Sequence, residues 1–165
     1  MASRDSHCSF CGAAYAQDQP WPRVCAACGQ TTYRNPVPVA VAVLPVDDGV
    51  LVIRRAIPPR VGLLALPGGF VDHGESWQRA VTRELFEETG IVVAETDVSL
   101  FDVHSAPDGT VLIFGLLAAT TAAALPASTP NAEVAGWQVA GDTTDLAFDL
   151  HARVLTRYLS DRISA

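Results

Sequence analysis

The sequence has few charged residues and no long apolar run. Only 18% of its 165 residues are charged, and the formal net charge is −7. A net negative chain is poorly suited to broad binding of nucleic acid or of anionic membranes, because both carry phosphate charges. The negative charge is compatible with an anionic substrate, since a bound divalent cation reverses the local electrostatic field.

No targeting or membrane-spanning segment is visible. The first seven residues lack the apolar run that a signal peptide needs. The longest apolar stretches, Val37–Val46 and Val111–Ala119, are too short to span a bilayer as helices, and they predict buried strands. We therefore expect a cytoplasmic protein with no membrane partner.

All four cysteines lie within the first 28 residues. Cys8 and Cys11 form one CxxC pair, thirteen residues follow, and Cys25 and Cys28 form a second pair. This spacing predicts a tetrahedral Zn²⁺ site with four thiolate ligands, which would be structural because no coordination position is left open. Two disulfides are the alternative, and the absence of a signal peptide makes them the weaker one.

The segment around the cysteines has too few apolar residues to fold alone, so the metal would supply folding energy. We assign residues 1–35 to this ribbon. Its only Lys or Arg residues are Arg4, Arg23 and Arg34, which are few positive charges for binding a phosphate backbone.

The rest of the chain mixes strands and helices without strict alternation, which predicts an α+β fold with a mixed sheet. Turn signals at 47–49 and 107–109 separate apolar runs, and 58–69 is expected to be irregular. We expect strands over Val37–Val46, Val50–Arg54, Val98–His104, Thr110–Ala119 and Glu133–Val139, and helices over Ser76–Thr89 and Asp149–Leu159. Ser76 is the expected N-cap of the first helix, and Gly90 is expected to end it.

Three glutamates mark one face of the first helix. Glu84, Glu87 and Glu88 are spaced i, i+3, i+4, and therefore share an arc of about 100°. Crowded carboxylates repel one another unless a cation lies among them, and Mg²⁺ is usually held by a few carboxylates together with substrate phosphates. An amphipathic helix with a solvated acidic rim is the alternative. Arg83 is placed to orient Glu75 or Glu87 by a forked hydrogen bond.

The segment from residue 69 to residue 91 resembles the Nudix box at every defining position. The pattern is glycine, five residues, glutamate, seven residues, Arg-Glu, an aliphatic residue, any residue, Glu-Glu, any residue, glycine and an aliphatic residue. In this sequence the defining residues are Gly69, Glu75, Arg83, Glu84, Leu85, Glu87, Glu88, Gly90 and Ile91. Nine restricted positions make chance a poor explanation. The cysteine segment followed by Tyr33-Arg34-Asn35-Pro36 resembles the zinc-ribbon subgroup of this family.

The resemblance implies an α/β/α sandwich over residues 36–165 and a pyrophosphohydrolase activity. Glu84, Glu87 and Glu88 would coordinate Mg²⁺ or Mn²⁺, and Glu75 and the carbonyl group of Gly69 would complete that site. Arg83 would hold the carboxylates in place. The metal would offset phosphate charge and activate water, with Glu87 as the first candidate for the general base. Glu133 is the second candidate, and an exposed loop glutamate is its alternative.

The resemblance implies a small substrate, a nucleoside diphosphate linked to another moiety, with ADP-ribose or a related nucleotide sugar as the leading class. Arg54 and Arg55 follow a strand from which they could reach a phosphate. The aromatic residues Phe70, Phe114 and Trp137 are candidates to stack on a base, and core packing is their alternative. His104 and His151 are expected to be structural, since the mechanism needs no histidine.

Two other functions compete with this one. An NADH, NAD or NAD-capped RNA pyrophosphatase fits the ribbon, but the Ser-Gln-Pro-Trp-Pro-Phe-Pro signature of NADH pyrophosphatases is absent, since Asp102–Asp108 reads Asp-Val-His-Ser-Ala-Pro-Asp. A non-catalytic nucleotide sensor would be expected to lack box glutamates, and all are present. The resemblance also allows a homodimer, formed through the ribbon or through the strand at Val37–Val46.

Overall fold

The computed structural model describes residues 5–163. The chain divides into two compact units, Met1–Pro36 and Val37–Ala165. Residues 1–4, which begin the predicted ribbon and include Arg4, lie outside the described residues, as do residues 164–165 at the end of the predicted hydrolase domain.

Residues 5–163 contain ten β-strands and two α-helices, joined by loops and two short 3₁₀ helices at Glu95–Asp97 and Ala122–Ala124. The strands are β1 (Arg23–Val24), β2 (Thr31–Thr32), β3 (Val37–Val43), β4 (Pro45–Val46), β5 (Gly49–Arg55), β6 (Leu64–Ala65), β7 (Gly68–Phe70), β8 (Ser99–Ser105), β9 (Thr110–Leu116) and β10 (Val134–Ala140). The helices are α1 (Trp77–Thr89) and α2 (Asp149–Ile163). Within the described residues, no helix has the length and apolar character needed to cross a bilayer.

The first unit is a small ribbon in which β1 and β2 pair antiparallel. Each CxxC pair forms a tight turn. The N–H of Gly12 donates to the carbonyl oxygen of Cys8 at 2.9 Å, and the N–H of Gly29 donates to that of Cys25 at 2.8 Å. Both glycines have a positive φ, which a residue with a side chain would adopt only under strain.

The second unit contains two four-stranded sheets. One has the order β7-β3-β9-β8, in which β3 and β9 run parallel and the other pairs antiparallel. In the other sheet, β5 pairs antiparallel with β10, β4 and β6. The mixed sheet and the α+β class are therefore as the sequence predicted.

The two helices cover opposite faces of the sheets, as in an α/β/α sandwich. Alternate residues of a strand point to opposite faces, and β3 is buried on both. The core on the α1 side includes Ala40, Ala42, Ala80, Val81 and Leu85. The core on the α2 side includes Val41, Val43, Val154 and Leu155. Small residues of β3 therefore face α1, and larger ones face α2.

The caps of α1 confirm the predicted helix. The Ser76 hydroxyl accepts a hydrogen bond from the backbone N–H of Arg79 at 3.1 Å. Gly90 ends the helix with φ of 75°, and its N–H donates to the carbonyl oxygen of Phe86. The sequence placed these boundaries correctly because both caps are local features.

Two predictions about strands were wrong. The predicted single strand Val37–Val46 divides, because β3 ends at Val43 and Pro45 begins β4 in the other sheet. Pro45 and Val46 pair instead with Val50 and Gly49 of β5, so the chain changes sheets after Val43. The stretch expected to be irregular contains the short strands β6 and β7. The second helix also continues beyond the predicted Leu159, to Ile163.

Candidate active site

Two glycines bring the edge of β7 against the acidic face of α1. The backbone N–H of Gly68 donates a hydrogen bond to Oε2 of Glu88 at 2.9 Å. The carboxylate of Glu84 occupies the space that a Cβ atom on Gly69 would fill. A side chain at position 69 would therefore displace the carboxylate of Glu84.

Arg83 is the centre of a hydrogen-bond network in this region. Its Nε and Nη2 atoms donate to Oε1 and Oε2 of Glu75, each at 3.0 Å. Nη1 donates to Glu84 at 2.7 Å and to Glu87 at 3.1 Å. Nη2 also donates to the carbonyl oxygen of Phe70 at 2.9 Å. One guanidinium group therefore fixes three carboxylates and the strand that leads into the helix.

The carboxylates differ in their surroundings. Burial raises the pKa of Glu88 to about 8, and the charges of Glu84 and Glu133 add to this effect. Burial also raises the pKa of Glu84. The hydrogen bonds from Arg83 lower the pKa of Glu75, whereas the Glu87 side chain is 54% exposed. Two carboxylates with raised pKa values in one cluster, buried Glu88 and half-buried Glu84, fit a cation site, since a divalent cation would stabilise their charged forms.

A cavity of about 630 Å³ adjoins this cluster and is lined by Gly68 and Gly69 on that side. Its other walls come from the end of β5 and the following loop, from the β8–β9 turn, and from the start of α2. The lining residues with a charge or an aromatic ring are Arg55, Arg60, Phe70, Asp108, Phe148, Asp149 and His151. Guanidinium and aromatic groups beside an acidic cluster suit a ligand that has both phosphates and a flat ring.

The ribbon has a separate cluster of ligating atoms. The sulfur atoms of Cys8, Cys11, Cys25 and Cys28 all lie within 4.8 Å of one another, and none forms a disulfide. Cys8 and Cys28 have their sulfur atoms 3.7 Å apart, and Cys11 and Cys25 have theirs 3.6 Å apart. Four thiolates about 2.3 Å from one tetrahedral ion would be separated by roughly 3.8 Å. The cluster is therefore arranged to hold a metal ion.

Local hydrogen bonds favour the thiolate form at two of these positions. Burial raises the pKa of the Cys8 thiol, but hydrogen bonds from the backbone N–H groups of Phe10 and Cys11 outweigh it and lower that pKa to about 6. The backbone N–H groups of Cys28 and Ala27 lower the pKa of Cys25. Metal ligation requires the thiolate.

The NUDIX domain family model matches residues 36–155, which span the acidic cluster and most of the cavity walls. The chain belongs to the Nudix family. The acidic cluster lies within the matched residues, on the segment that resembles the Nudix box.

Several characterised proteins are similar to this Nudix chain. An ADP-ribose pyrophosphatase from Methanocaldococcus jannaschii is 41% identical over 76 residues, which are 46% of this chain and 44% of that protein. The NAD-capped RNA hydrolase NudC from Edwardsiella ictaluri is 36% identical over 87 residues, or 52% of this chain and 34% of that protein. The matched region is less than half the length of each of these relatives.

A solved structure covers nearly the whole fold. The crystal structure of a NUDIX hydrolase from Nitrosomonas europaea superposes with a TM-score of 0.77 and 25% sequence identity. The match covers 97% of this chain and 93% of the other. The Nudix fold described above is therefore shared with an experimentally determined structure.

The structure separates the predicted substrate residues of this Nudix domain into two groups. Arg55 and Phe70 line the cavity, and the Phe70 side chain is exposed. Arg54 instead donates to the carbonyl oxygen of Gly62 at 2.7 Å and to Gln138 at 3.2 Å. The two arginines are adjacent in β5, so their side chains leave opposite faces of the strand.

Phe114 lies in the core, which corrects the prediction that it contacts a substrate. Its side chain is fully buried, and its ring packs edge-on against His104 and His151. This burial leaves no face of the ring open to a base. Trp137 packs against the α1-side core rather than lining the cavity.

Sequence reasoning missed several residues of the cavity wall. Arg60, Asp108 and Phe148 line it, yet none belongs to a motif. Arg55 lies over the Phe148 ring, with the guanidinium carbon 5.2 Å from the ring centroid. Phe148 directly precedes the predicted helix Asp149–Leu159 in the sequence. Its position beside β5, however, depends on tertiary folding.

Proposed function

We propose that this Nudix chain is a divalent-metal-dependent pyrophosphohydrolase. Its substrate is a nucleoside diphosphate linked to a second moiety, with ADP-ribose or a related nucleotide sugar as the leading class. The observation that supports this proposal is the junction of the box carboxylates with the cavity at Gly68 and Gly69. The 41% identical relative named ADP-ribose pyrophosphatase supports the same substrate class.

The box would hold Mg²⁺ or Mn²⁺ through Glu84, Glu87 and Glu88, with the carbonyl oxygen of Gly69 as a further donor. When bound, the metal would offset the charge of the diphosphate and lower the pKa of a water molecule. Both carboxylate oxygens of Glu75 already accept hydrogen bonds, from Arg83 and from the N–H of Asp72. We therefore assign Glu75 first to holding Arg83, and to the metal only after Glu84, Glu87 and Glu88.

Two glutamates are candidates for the general base. Glu87 has an exposed side chain, and Arg83 fixes one of its oxygens, so a free oxygen faces solvent. Glu133 is also exposed, and its charge raises the pKa values of both Glu84 and Glu88. Glu133 therefore lies close to the box, although it is 45 residues further along the chain than Glu88. We propose Glu87 as the base and Glu133 as the second candidate.

The remaining residues would bind the substrate and shape the site. Arg55 would contact a phosphate, because its guanidinium group lines the cavity and is held by the carbonyl oxygen of Pro59 at 2.8 Å. Phe70 offers an exposed ring at the cavity to a base. In the ribbon, Cys8, Cys11, Cys25 and Cys28 would hold a structural Zn²⁺ ion, as in the zinc-ribbon subgroup.

The first experiment is a product screen of the purified protein with Mg²⁺ and then Mn²⁺. The panel contains ADP-ribose, NADH, NAD, nucleotide sugars, dinucleoside polyphosphates and nucleoside triphosphates, and AMP and phosphate release are measured. We expect AMP from ADP-ribose in preference to NADH. The E87Q and E88Q variants should lose turnover by at least 100-fold with unchanged circular dichroism, and wild-type turnover in either variant would refute the metal assignment.

A second candidate function is the hydrolysis of NADH, NAD or NAD-capped RNA. The relative named NAD-capped RNA hydrolase, at 36% identity, favours it. A clear preference for NADH or for a capped oligonucleotide in the same screen would select this activity. Tight binding of one nucleotide without turnover of any would select a nucleotide sensor instead.

We also propose the cytoplasm as the compartment and a homodimer as the assembly. Four thiols close together and without a disulfide suit a reducing environment. Light scattering after size-exclusion chromatography tests the dimer, since a molar mass near 17.5 kDa would indicate a monomer. Broad nucleic-acid binding and membrane binding are not expected of this acidic chain.

A further inference from the structure

His151 is a buried side chain that the proposed mechanism does not use. It is the third residue of α2, it is 6% exposed, and it lines the substrate cavity. The sequence suggested a structural role for this histidine. Its surroundings determine its protonation, its orientation and the availability of its donor.

The first property is the tautomer of the imidazole ring. The backbone N–H of Leu66 donates a hydrogen bond to Nδ1 of His151 at 3.1 Å. An imidazole nitrogen that accepts a hydrogen bond has no proton, so the proton of the neutral ring is on Nε2. Burial lowers the pKa of His151 to about 4, with a smaller effect from the charge of Arg55. The ring is therefore neutral at pH 7, with one N–H group at Nε2.

The second property is the fixed orientation of the ring. The Phe148 ring packs against it with centroids 5.1 Å apart, and the Phe114 ring packs edge-on at 5.8 Å. Together with the hydrogen bond from Leu66, these contacts restrain the ring on three sides. A donor with a fixed direction loses little conformational entropy when it binds a ligand.

The third property is a donor without a protein partner on a residue that lines the cavity. Among residues 5–163, no protein acceptor forms a hydrogen bond with Nε2 of His151. Trp137 Nε1 is the one fully enclosed side-chain polar atom without a partner in the described part of the chain, so Nε2 of His151 is not fully enclosed. Since His151 lines the cavity, the N–H group is available to a molecule bound there.

We propose that the Nε2–H group of His151 donates a hydrogen bond to an oxygen atom of the bound nucleoside diphosphate derivative, and so acts as a specificity residue of the cavity. Arg55 and Arg60 attract the phosphates through charge, which acts in all directions. His151 adds a neutral donor that selects the position of one acceptor. The identity of the ligand rests on the proposed function, whereas the donor itself rests on the contacts of the ring.

Two substitutions separate the two nitrogen atoms. In His151→Asn, the amide oxygen can replace Nδ1 as the acceptor for Leu66, but the donor at Nε2 is lost. In His151→Gln, the longer amide can place a donor near Nε2, but the acceptor for Leu66 is lost. His104→Asn is the matched control, because His104 also packs against Phe114 but does not line the cavity.

The test measures calorimetric binding of the α,β-methylene analogue of ADP-ribose in the presence of Mg²⁺, together with thermal unfolding. This analogue has no scissile anhydride, so binding is read without turnover. We expect H151N to raise Kd by about tenfold or more, the usual effect of one lost hydrogen bond to a charged group, with Tm near that of wild type. H151Q should bind within about threefold of wild type but unfold at a lower temperature, and H104N should bind normally.

Unchanged binding by H151N would overturn the proposal, as would a loss of binding that follows the loss of Tm across the variants. Steady-state kinetics with ADP-ribose should show the H151N effect in KM rather than in kcat. A wild-type protein that binds the analogue but does not cleave ADP-ribose would refute activity on ADP-ribose. The binding of H151N would then still decide this inference. A wild-type protein that does not bind the analogue would overturn this inference, whereas the product screen tests the proposed activity separately.

Discussion

Arg83 and Glu75 form a two-pronged ion pair, with both nitrogen–oxygen distances at 3.0 Å. The pair connects α1 to the loop before it, since Glu75 precedes the N-cap Ser76. Arg83 uses its other nitrogen, Nη1, to hold Glu84 and Glu87. The position of the proposed metal ligands therefore depends on a residue that is not itself a metal ligand.

Replacing Arg83 by lysine should show this dependence. Lysine keeps the charge but cannot form the fork. Because the Glu75 side chain is only 7% exposed, we expect R83K to lower the unfolding free energy by about 1–3 kcal/mol and kcat by at least about tenfold. Chemical denaturation and steady-state kinetics measure the two effects.

The control for this prediction is R79K on the same helix. Arg79 forms no ion pair within the described residues. R79K should change neither quantity substantially. Equal effects of R83K and R79K would contradict a specific role for the fork.

Glu88 predicts how the metal-free protein responds to pH. The pKa of this group is raised from 4.5 to about 8 in the folded chain. Its contribution to stability is therefore fully present below pH 4.5 and is lost as the pH rises towards 8. We expect Tm in EDTA to fall over pH 5–8 more steeply for wild type than for E88Q.

Addition of Mg²⁺ should reverse this loss, because the cation stabilises the charged carboxylate. The increase in Tm on adding Mg²⁺ should therefore be greater at pH 8 than at pH 6 for wild type. Scanning fluorimetry at both pH values measures it. The same Mg²⁺ response in E88Q would show that Glu88 is not a ligand.

Arg55 and Arg54 form a natural pair for testing the cavity. Arg55 lines it, whereas Arg54 is turned towards Gly62 and Gln138. If Arg55 binds a phosphate, R55A should raise KM for ADP-ribose by roughly tenfold or more, the effect of losing a charge-assisted hydrogen bond. R54A should raise it far less, and equal effects would place the phosphate elsewhere.

The ribbon should contain one Zn²⁺ ion per chain. The four sulfur atoms are already grouped for a tetrahedral ion, and Cys25 is buried among them. We expect C25S to lower the zinc content below about 0.2 per chain, because three thiolates bind Zn²⁺ far more weakly than four. Metal analysis measures the content, S9A is the matched control, and zinc retained by C25S would exclude a four-thiolate site.

The sequence predicted the features of this molecule that depend on neighbouring residues. Ser76 and Gly90 mark the two ends of α1 through local hydrogen bonds. The placement of Glu84, Glu87 and Glu88 on one face follows from helix geometry. The α1 face of the site could therefore be described before the fold was known.

The cavity could not be predicted in this way, because its walls meet only after folding. The end of β5, the β8–β9 turn and the start of α2 are separated by about 50 and about 40 residues in sequence. Burial also separated Phe70, which is exposed at the cavity, from Phe114, which is in the core. The two phenylalanines have the same hydrophobicity, so only tertiary packing distinguishes them.

The composition of the cavity walls has a consequence for how selectivity can change. The box occupies one continuous stretch, in which Gly69 leaves no room for a side chain beside Glu84. Apart from Gly69 and Phe70, the residues of the cavity walls belong to segments outside that stretch, including exposed Arg60 and Asp108. Exchange of those segments between homologues should therefore transfer preference for one leaving group or another, while the proposed hydrolytic site is inherited unaltered.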